Sequence, residues 1–335
     1  MMKTSKTDVA VLILFFNRPA MLEKVFEQVR LARPSRLYLY QDGARQGRED
    51  DIINVQKCRD IVSNIDWECE VHHNYQETNN GCDPSEYLAQ KWMFETEEMG
   101  IVLEDDDVPS QSFFPFCKEL LEKYKDDQRI NMICGMNNLQ IYKNCPYDYF
   151  FSRTGSITGW ASWKRVIDEW QPYVPFVEDD YAKWLFNNSY KKVINTNKYI
   201  KHTQKCNESG IAYYENILGS NAFMQNRLNI VTTKNMISNI GNVGESTHGA
   251  TDIKLLPRGI RRIFNMPTYD VDFPINHPPY VVEDKQFHKQ LNRVMANGHP
   301  FISFYRKCES VIYRMVSGDF SMFKRKFKRV FSRKK

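Results

Sequence analysis

The stretch IVLEDDDV, Ile101 to Val108, decides how this chain is read: a short aliphatic strand that stops in four consecutive acids, Glu104 to Asp107. A buried strand ending in carboxylates delivers hard oxygen ligands to the rim of a sheet. In open α/β folds that rim is where ligands bind, and where a divalent cation can hold a diphosphate. The plain alternative for an acidic cluster is a solvated loop. The flanking sequence has to choose between them.

Upstream, VAVLILFF (Val9 to Phe16) is a β-branched and aromatic run, followed by Asn17-Arg18-Pro19 and an amphipathic stretch, Ala20 to Leu31. This reads as strand, turn, helix. A second strand, Arg36 to Gln41, ends in Asp42-Gly43; a helix near Asp51 to Ser63 precedes a third strand, Trp67 to His73. Asp83-Pro84-Ser85-Glu86 then reads as a helix start, with an N-cap acid, Pro in the first turn and Glu three residues after the cap, running to about Met99 before Gly100 ends it. Repeated strand-plus-helix units predict an α/β fold with a mostly parallel sheet wrapped by helices.

Downstream, strands are expected at Ile130 to Cys134, Tyr149 to Ser152 and Asn229 to Thr232, with a Gly- and Trp-rich turn at Gly155 to Trp163. Helices are expected at Ala161 to Trp170, Val177 to Asn188 and Ile211 to Asn226. A loop rich in Gly and Asn covers Asn239 to Gly249, and Pro257 to Tyr280 reads as an extended segment packed over the body. With no clean linker, the expected organisation is a core domain over 1–250, a packed C-terminal extension over 251–323 and a basic tail over 324–335.

Composition excludes several classes. A chain of 335 residues with 42% hydrophobic and 26% charged residues is an ordinary globular protein, neither disordered nor fibrous. Its longest apolar run, Val9 to Phe16, suits a buried strand and is too short to span a bilayer. Lys3 to Asp8 leads straight into that strand with no export signal, and the eight cysteines form no CxxC pair. A cytoplasmic protein with reduced thiols is therefore expected, and the Asn-x-Ser sequences at Asn187 and Asn207 carry no glycosylation meaning.

The net charge of +5 is local: KRKFKRVFSRKK, Lys324 to Lys335, holds eight basic residues and no acid. Removing those eight from the 46 Lys and Arg leaves 38 against 41 acids, a body of charge −3. Phe323, Phe327, Val330 and Phe331 recur at helical spacing among the charges, so the leading reading is a basic amphipathic helix on an anionic membrane surface, peripheral to the inner face. A solubilising tail and a nucleic-acid contact are the other readings, and nucleic acid is not an expected partner.

Several of these segments together resemble GT-A-fold glycosyltransferases. FFNRPAMLEKVF (Phe15 to Phe26), LYQDG (Leu39 to Gly43), LEDDDVPSQSFFPF (Leu103 to Phe116), GWASWKRV (Gly159 to Val166) and ISNIGNVGESTHG (Ile237 to Gly249) occur in that family in the same order. The pattern is similar to that of bacterial nucleotide-diphospho-sugar transferases, which themselves resemble N-acetylglucosaminyltransferase I. The resemblance covers about residues 8 to 250. It implies a GT-A-type, Rossmann-like sheet with a C-terminal extension. It also implies a metal-dependent transfer of a sugar, GlcNAc-like, from a UDP-sugar to a hydroxyl of a glycan or lipid-linked acceptor, with inversion.

The same resemblance implies roles. Asn17 and Arg18 fall beside the donor diphosphate, and Asp42 matches an acid that accepts a hydrogen bond from a uracil ring. Asp106 matches the direct ligand of Mn²⁺ or Mg²⁺, while Glu104 and Asp105 contact donor sugar and ribose; Asp107 is expected to be solvated. His248 matches a late histidine that serves as a second ligand or loop anchor. Local chemistry agrees for Arg18: a forked guanidinium suits a diphosphate, and a cation at a helix start is mildly misplaced otherwise.

An inverting enzyme needs a base opposite the leaving group. Relatives carry Trp-Asp where this chain has Tyr214-Glu215, one methylene longer, so Glu215 is the candidate. Asp179 and Asp180 are rivals, although acids there also suit a helix N-terminus. Trp160 and Trp163 suit either a sugar pocket or the core. A nucleotidyltransferase would need a Gly-rich loop where Asn17-Arg18-Pro19 stands, and a metal-dependent phosphoesterase would need more acids and His on several strand ends. A non-enzymatic sugar-nucleotide or membrane-binding relative lacking its base is the remaining alternative.

Overall fold

The first apolar run forms β1 (Thr7–Phe15), buried on both faces from Val9 onward. A strand of that kind shows no alternation and belongs at the centre of a sheet covered on both sides. The computed structural model describes residues 2–241 and 253–318. After β1 come α1 (Pro19–Ala32), β2 (Pro34–Gln41), α2 (Glu49–Val62), β3 (Glu70–Tyr75), α3 (Cys82–Thr96), β4 (Met99–Glu104), β5 (Asp107–Pro109) and α4 (Phe113–Lys123). The second half holds β6 (Ile130–Cys134), β7 (Tyr149–Ser152), β8 (Trp160–Trp163), α5 (Lys164–Ile167), α6 (Asp180–Tyr190), α7 (Thr196–Ser209), α8 (Tyr214–Met224), β9 (Leu228–Thr232) and β10 (Ile237–Asn239). A C-terminal helical segment follows, with α9 (Arg258–Arg261), α10 (Lys285–Met295) and α11 (Pro300–Val316).

Among the described residues one large sheet runs in the order β3-β2-β1-β4-β8-β6-β9-β7. The pairs β1–β2, β1–β4, β2–β3 and β6–β9 are parallel, and only β7 and β8 run against the others. The chain therefore has the expected α/β class, a Rossmann-like, mostly parallel sheet with helices on its faces. Register then builds a site. Phe15 lies beside Gln41, and Leu14 beside Glu104, so the residues just beyond β1, β2 and β4 emerge together at one edge.

Several local expectations change. GWASW does not open a helix at Ala161: Trp160–Trp163 is β8, wedged antiparallel between β4 and β6. Both Trp160 and Trp163 are core residues, and the Trp163 indole donates to the Leu121 carbonyl at 2.9 Å. The helix after β3 is capped by Gly81, at φ 86°, and not by Asp83. Trp67 lies outside β3, packed in the core with its indole on the Pro34 carbonyl at 2.8 Å. The segment after Pro257 contains helices, and α7, α10 and α11 had no counterpart in the sequence reading.

The C-terminal segment docks on the sheet through specific contacts. Asp284 caps α10 by accepting from the backbone of Gln286 and Phe287, and also accepts from the Tyr142 hydroxyl at 2.9 Å. Phe287 packs against Phe150 and Tyr142. Asp270 accepts from the backbone and hydroxyl of Ser112 at the start of α4. No disulfide joins any of the eight cysteines, and no described helix is long and apolar enough to cross a membrane.

Candidate active site

The shared edge of β1, β2 and β4 opens into a cleft of about 490 Å³, closed on its far side by the start of α3. Asn17, Arg18, Asp42, Glu104 and Asp105 all line it, joined by Arg45, Tyr40 and Glu86. Arg18 is the centre of charge. Its Nε and Nη2 grip both oxygens of Asp105, while Nη1 lies 2.8 Å from Asp106 Oδ2. Burial works against the guanidinium charge, but the two carboxylates more than offset it and hold the pKa above its ordinary value.

Asp106 is enclosed. Asn239 Nδ2 donates to its Oδ1 at 3.2 Å, and the Ile240 amide donates to its carbonyl at 2.9 Å. Gly241 passes so close that a Cβ there would sit 1.9 Å from Asp106 Oδ2, leaving room for no other residue without rearrangement. Asp107 is not solvated, contrary to expectation. It is 1% exposed, accepts from the Gly159 amide at 2.8 Å and the Glu104 amide at 3.3 Å, and so pins the acidic turn to the start of β8.

Asp42 is buried and accepts four hydrogen bonds: Gly43 N at 3.0 Å, Asn80 N at 2.8 Å, Gly81 N at 3.1 Å and Asn79 Nδ2 at 2.7 Å. Its immediate work is to hold loop 79–81 as one wall of the cleft. Asn17 donates to Asp51 at 2.6 Å, and Arg45 grips the same carboxylate with Nε and Nη2 at 2.6 and 2.8 Å. Those bonds, led by Arg45, draw the Asp51 pKa down to about 2.

Glu86 is the residue that sequence reasoning missed. In the sequence it looks like the acid of a capping box; in the fold it lies one turn into α3, among Asp83, Glu104 and Glu215. Burial, reinforced by those carboxylates and Asp106, pushes its pKa up to about 8. Glu104 and Asp107 are raised well above the usual carboxylate range, again first by burial and then by neighbouring acids. The signal that could have found Glu86 is its place at the start of the helix that enters from the strand ends carrying Asp42 and the acidic tip.

Glu215 sits exposed in the first turn of α8, next to fully buried Tyr214, whose hydroxyl donates to Glu104 Oε1 at 3.3 Å. That bond ties α8 to the acidic tip and sets where Glu215 can be. Asp179 caps α6 by accepting from Ala182 N at 2.9 Å, and Asp180 pairs with Lys183 at 2.6 Å, so both rivals serve the helix start. His248 and the basic tail lie outside the described residues.

Whether a divalent cation fits is decided by charge and donor type. Glu86, Glu104, Asp105, Asp106 and Asp107 crowd one rim, where the only contact from a cation is that of Arg18 on Asp105 and Asp106 among the described bonds. All five are hard oxygen donors, and burial, followed by the charge of neighbouring acids, raises the pKa of Glu86, Glu104, Asp105 and Asp107. Among the described residues, no three His, Cys, Asp or Glu side chains form a ready-made metal cage. Mg²⁺-type ions need none: they are held by one or two carboxylates, with substrate phosphates and water completing the shell. The residues fit a cation of that kind.

No protein-family model matches this sequence, and a search of curated proteins gives no match. Among solved structures, the chain is similar to a UDP-glucose pyrophosphorylase crystallised with UDP-glucose, at a TM-score of 0.27 and 10% identity. The superposition covers 51% of this chain and 81% of that one. So remote a likeness carries no argument about activity.

Proposed function

We propose that this chain is a metal-dependent glycosyltransferase of GT-A type, moving a GlcNAc-like sugar from a UDP-sugar to a hydroxyl of a glycan or lipid-linked acceptor. The observation that supports this best is one of register. Arg18, Asp42, Glu104 and Asp105 come from the ends of three adjacent parallel strands and line a single cleft. A diphosphate needs a forked cation, a ribose and a sugar need acceptors, and this edge supplies both.

In this reading the base end of the donor lies along loop 79–81, which Asp42 organises. Arg18 turns its guanidinium from the carboxylates to the diphosphate, and Glu104 and Asp105 take hydrogen bonds from donor hydroxyls. Glu215 accepts the proton of the attacking hydroxyl, on the side of the acidic tip to which Tyr214 anchors α8. Asp106 is the residue that would hold Mn²⁺ or Mg²⁺, and such a cation neutralises charge on the departing nucleoside diphosphate.

The test is thermal stability against UDP, GDP, CDP, ADP and UDP-sugars, each with and without Mn²⁺. A ligand at about 100 times its dissociation constant stabilises by roughly 2.7 kcal/mol, which is easily read. The expected result is a shift for UDP compounds that needs metal and disappears in Asp106→Ala. No nucleotide response would favour a non-enzymatic relative. Nucleoside triphosphate formed from UDP-sugar and pyrophosphate would instead make the protein a nucleotidyltransferase.

A further inference from the structure

Helix α11 is built inside out. Phe301, Phe304, Tyr305, Cys308, Ile312, Met315 and Val316 fall within an arc of about 120° at 100° per residue, and every one is exposed. Phe301 is 88% exposed and Val316 83%. The opposite side, which faces the protein, is polar. Arg306 Nη2 donates to the Val294 carbonyl at 2.6 Å and Ser310 to the Leu255 carbonyl at 3.3 Å. Glu309 accepts from the Arg258 amide at 3.3 Å and from Tyr313 at 2.8 Å, and Arg261 lies 4.5 Å from the Tyr313 ring centroid. A surface helix of a globular protein does the reverse, burying its apolar stripe against the core.

We infer that the outward arc of α11 is a membrane-docking face that seats in the interface of an anionic lipid bilayer, with the basic tail that follows it as its electrostatic half. The occupant is indicated by what the chain does next. Eight residues past Val316 begins a run with eight Lys and Arg and no acid, interleaved with Phe327, Val330 and Phe331. An apolar face continued by cations matches an anionic lipid surface, which takes hydrocarbon below and positive charge at the headgroups. A second copy fits worse, because it would cover the apolar arc but offer no counter-charge to the eight cations that follow it in sequence. The body carries −3 without the tail, so the chain's excess of positive charge lies in the segment that follows α11.

The experiment is sedimentation of the full chain with phosphatidylcholine vesicles, with and without phosphatidylglycerol. The wild type is expected to pellet with the anionic vesicles and to be released by salt. Phe301→Glu/Phe304→Glu/Ile312→Glu, at exposed positions with the tail intact, should weaken partitioning by at least about tenfold. Tyr280→Glu, at another strongly exposed aromatic position, should leave partitioning unchanged. Phe301→Ser/Phe304→Ser repeats the test without adding charge, should the triple variant melt early. Wild-type protein that ignores anionic vesicles overturns the proposal. So does unaltered partitioning of the α11 variants, and so does a concentration-dependent dimer that those variants abolish while vesicle binding persists.

Discussion

The Tyr214 hydroxyl donates a hydrogen bond to Glu104 Oε1 at 3.3 Å, joining the first turn of α8 to the end of β4 across 110 residues of sequence. Tyr214 is fully buried, so this polar tip has no solvent to turn to. Tyr214→Phe should therefore lower stability by about 1 kcal/mol, the usual net worth of one hydrogen bond. If Glu215 is the base, the same change should lower kcat with little effect on donor KM. A urea titration and steady-state kinetics on one preparation read both.

Glu215→Gln removes the proposed base but keeps the size of the side chain. Transfer should fall by about 10²–10⁴-fold, the usual contribution of a positioned base, while the metal-dependent stabilisation by UDP persists. Transfer at the wild-type rate would reject the assignment.

Arg18→Met leaves Asp105 and Asp106 buried without their cation. Breaking one side of a buried pair costs roughly 3–5 kcal/mol, so urea unfolding at neutral pH should show a loss of that order. Mn²⁺ or Mg²⁺ should restore part of it, because either ion supplies the missing charge. A loss that no divalent ion alleviates would argue against cation binding at Asp106.

The ligand-free protein should have its stability maximum on the acid side of neutrality. Glu86, held up to about 8 by burial, keeps a proton in the folded state that the unfolded chain gives up near 4.5. The folded state thus binds more protons over that interval, and stability falls as pH rises from about 4.5 to about 8. Glu104 and Asp107 act in the same direction. Below that window Asp51 takes over: held down to about 2 by Arg45, it contributes stability that disappears as pH falls from 3.8 towards 2. Glu86→Gln should flatten the upper limb of a melting-temperature profile. An unchanged slope would mean that the proton sits elsewhere.

The parallel half of the fold was legible because each of its strands announces itself locally. β1 is an unbroken apolar run, β2 ends in Asp-Gly, and β4 stops abruptly in acids. β8 was misread because a strand buried on both faces has no period, and Trp160 and Trp163 then mimic helical spacing. Helix α7 escaped because its sequence, TNKYIKHTQKCNES, is polar almost throughout. Helix α11 does carry a helical signal, Pro300 at its start and an apolar stripe from Phe301 to Val316, which the sequence reading left unused. Around the site, contacts between distant segments were the limit. Nothing near Asp107 in sequence reveals the Gly159 amide that accompanies its burial, and Glu86 looked like a cap because Glu104, Asp106 and Glu215, which crowd it, belong to distant segments.

The contact between Gly241 and Asp106 also makes a reporter that needs no ligand: a Cβ at 241 would sit 1.9 Å from Asp106 Oδ2. Gly241→Ala therefore moves the carboxylate itself, and with it the Asn239 and Arg18 groups bonded to it. One methyl group, placed outside the cleft, perturbs the acidic tip without altering any acid in it.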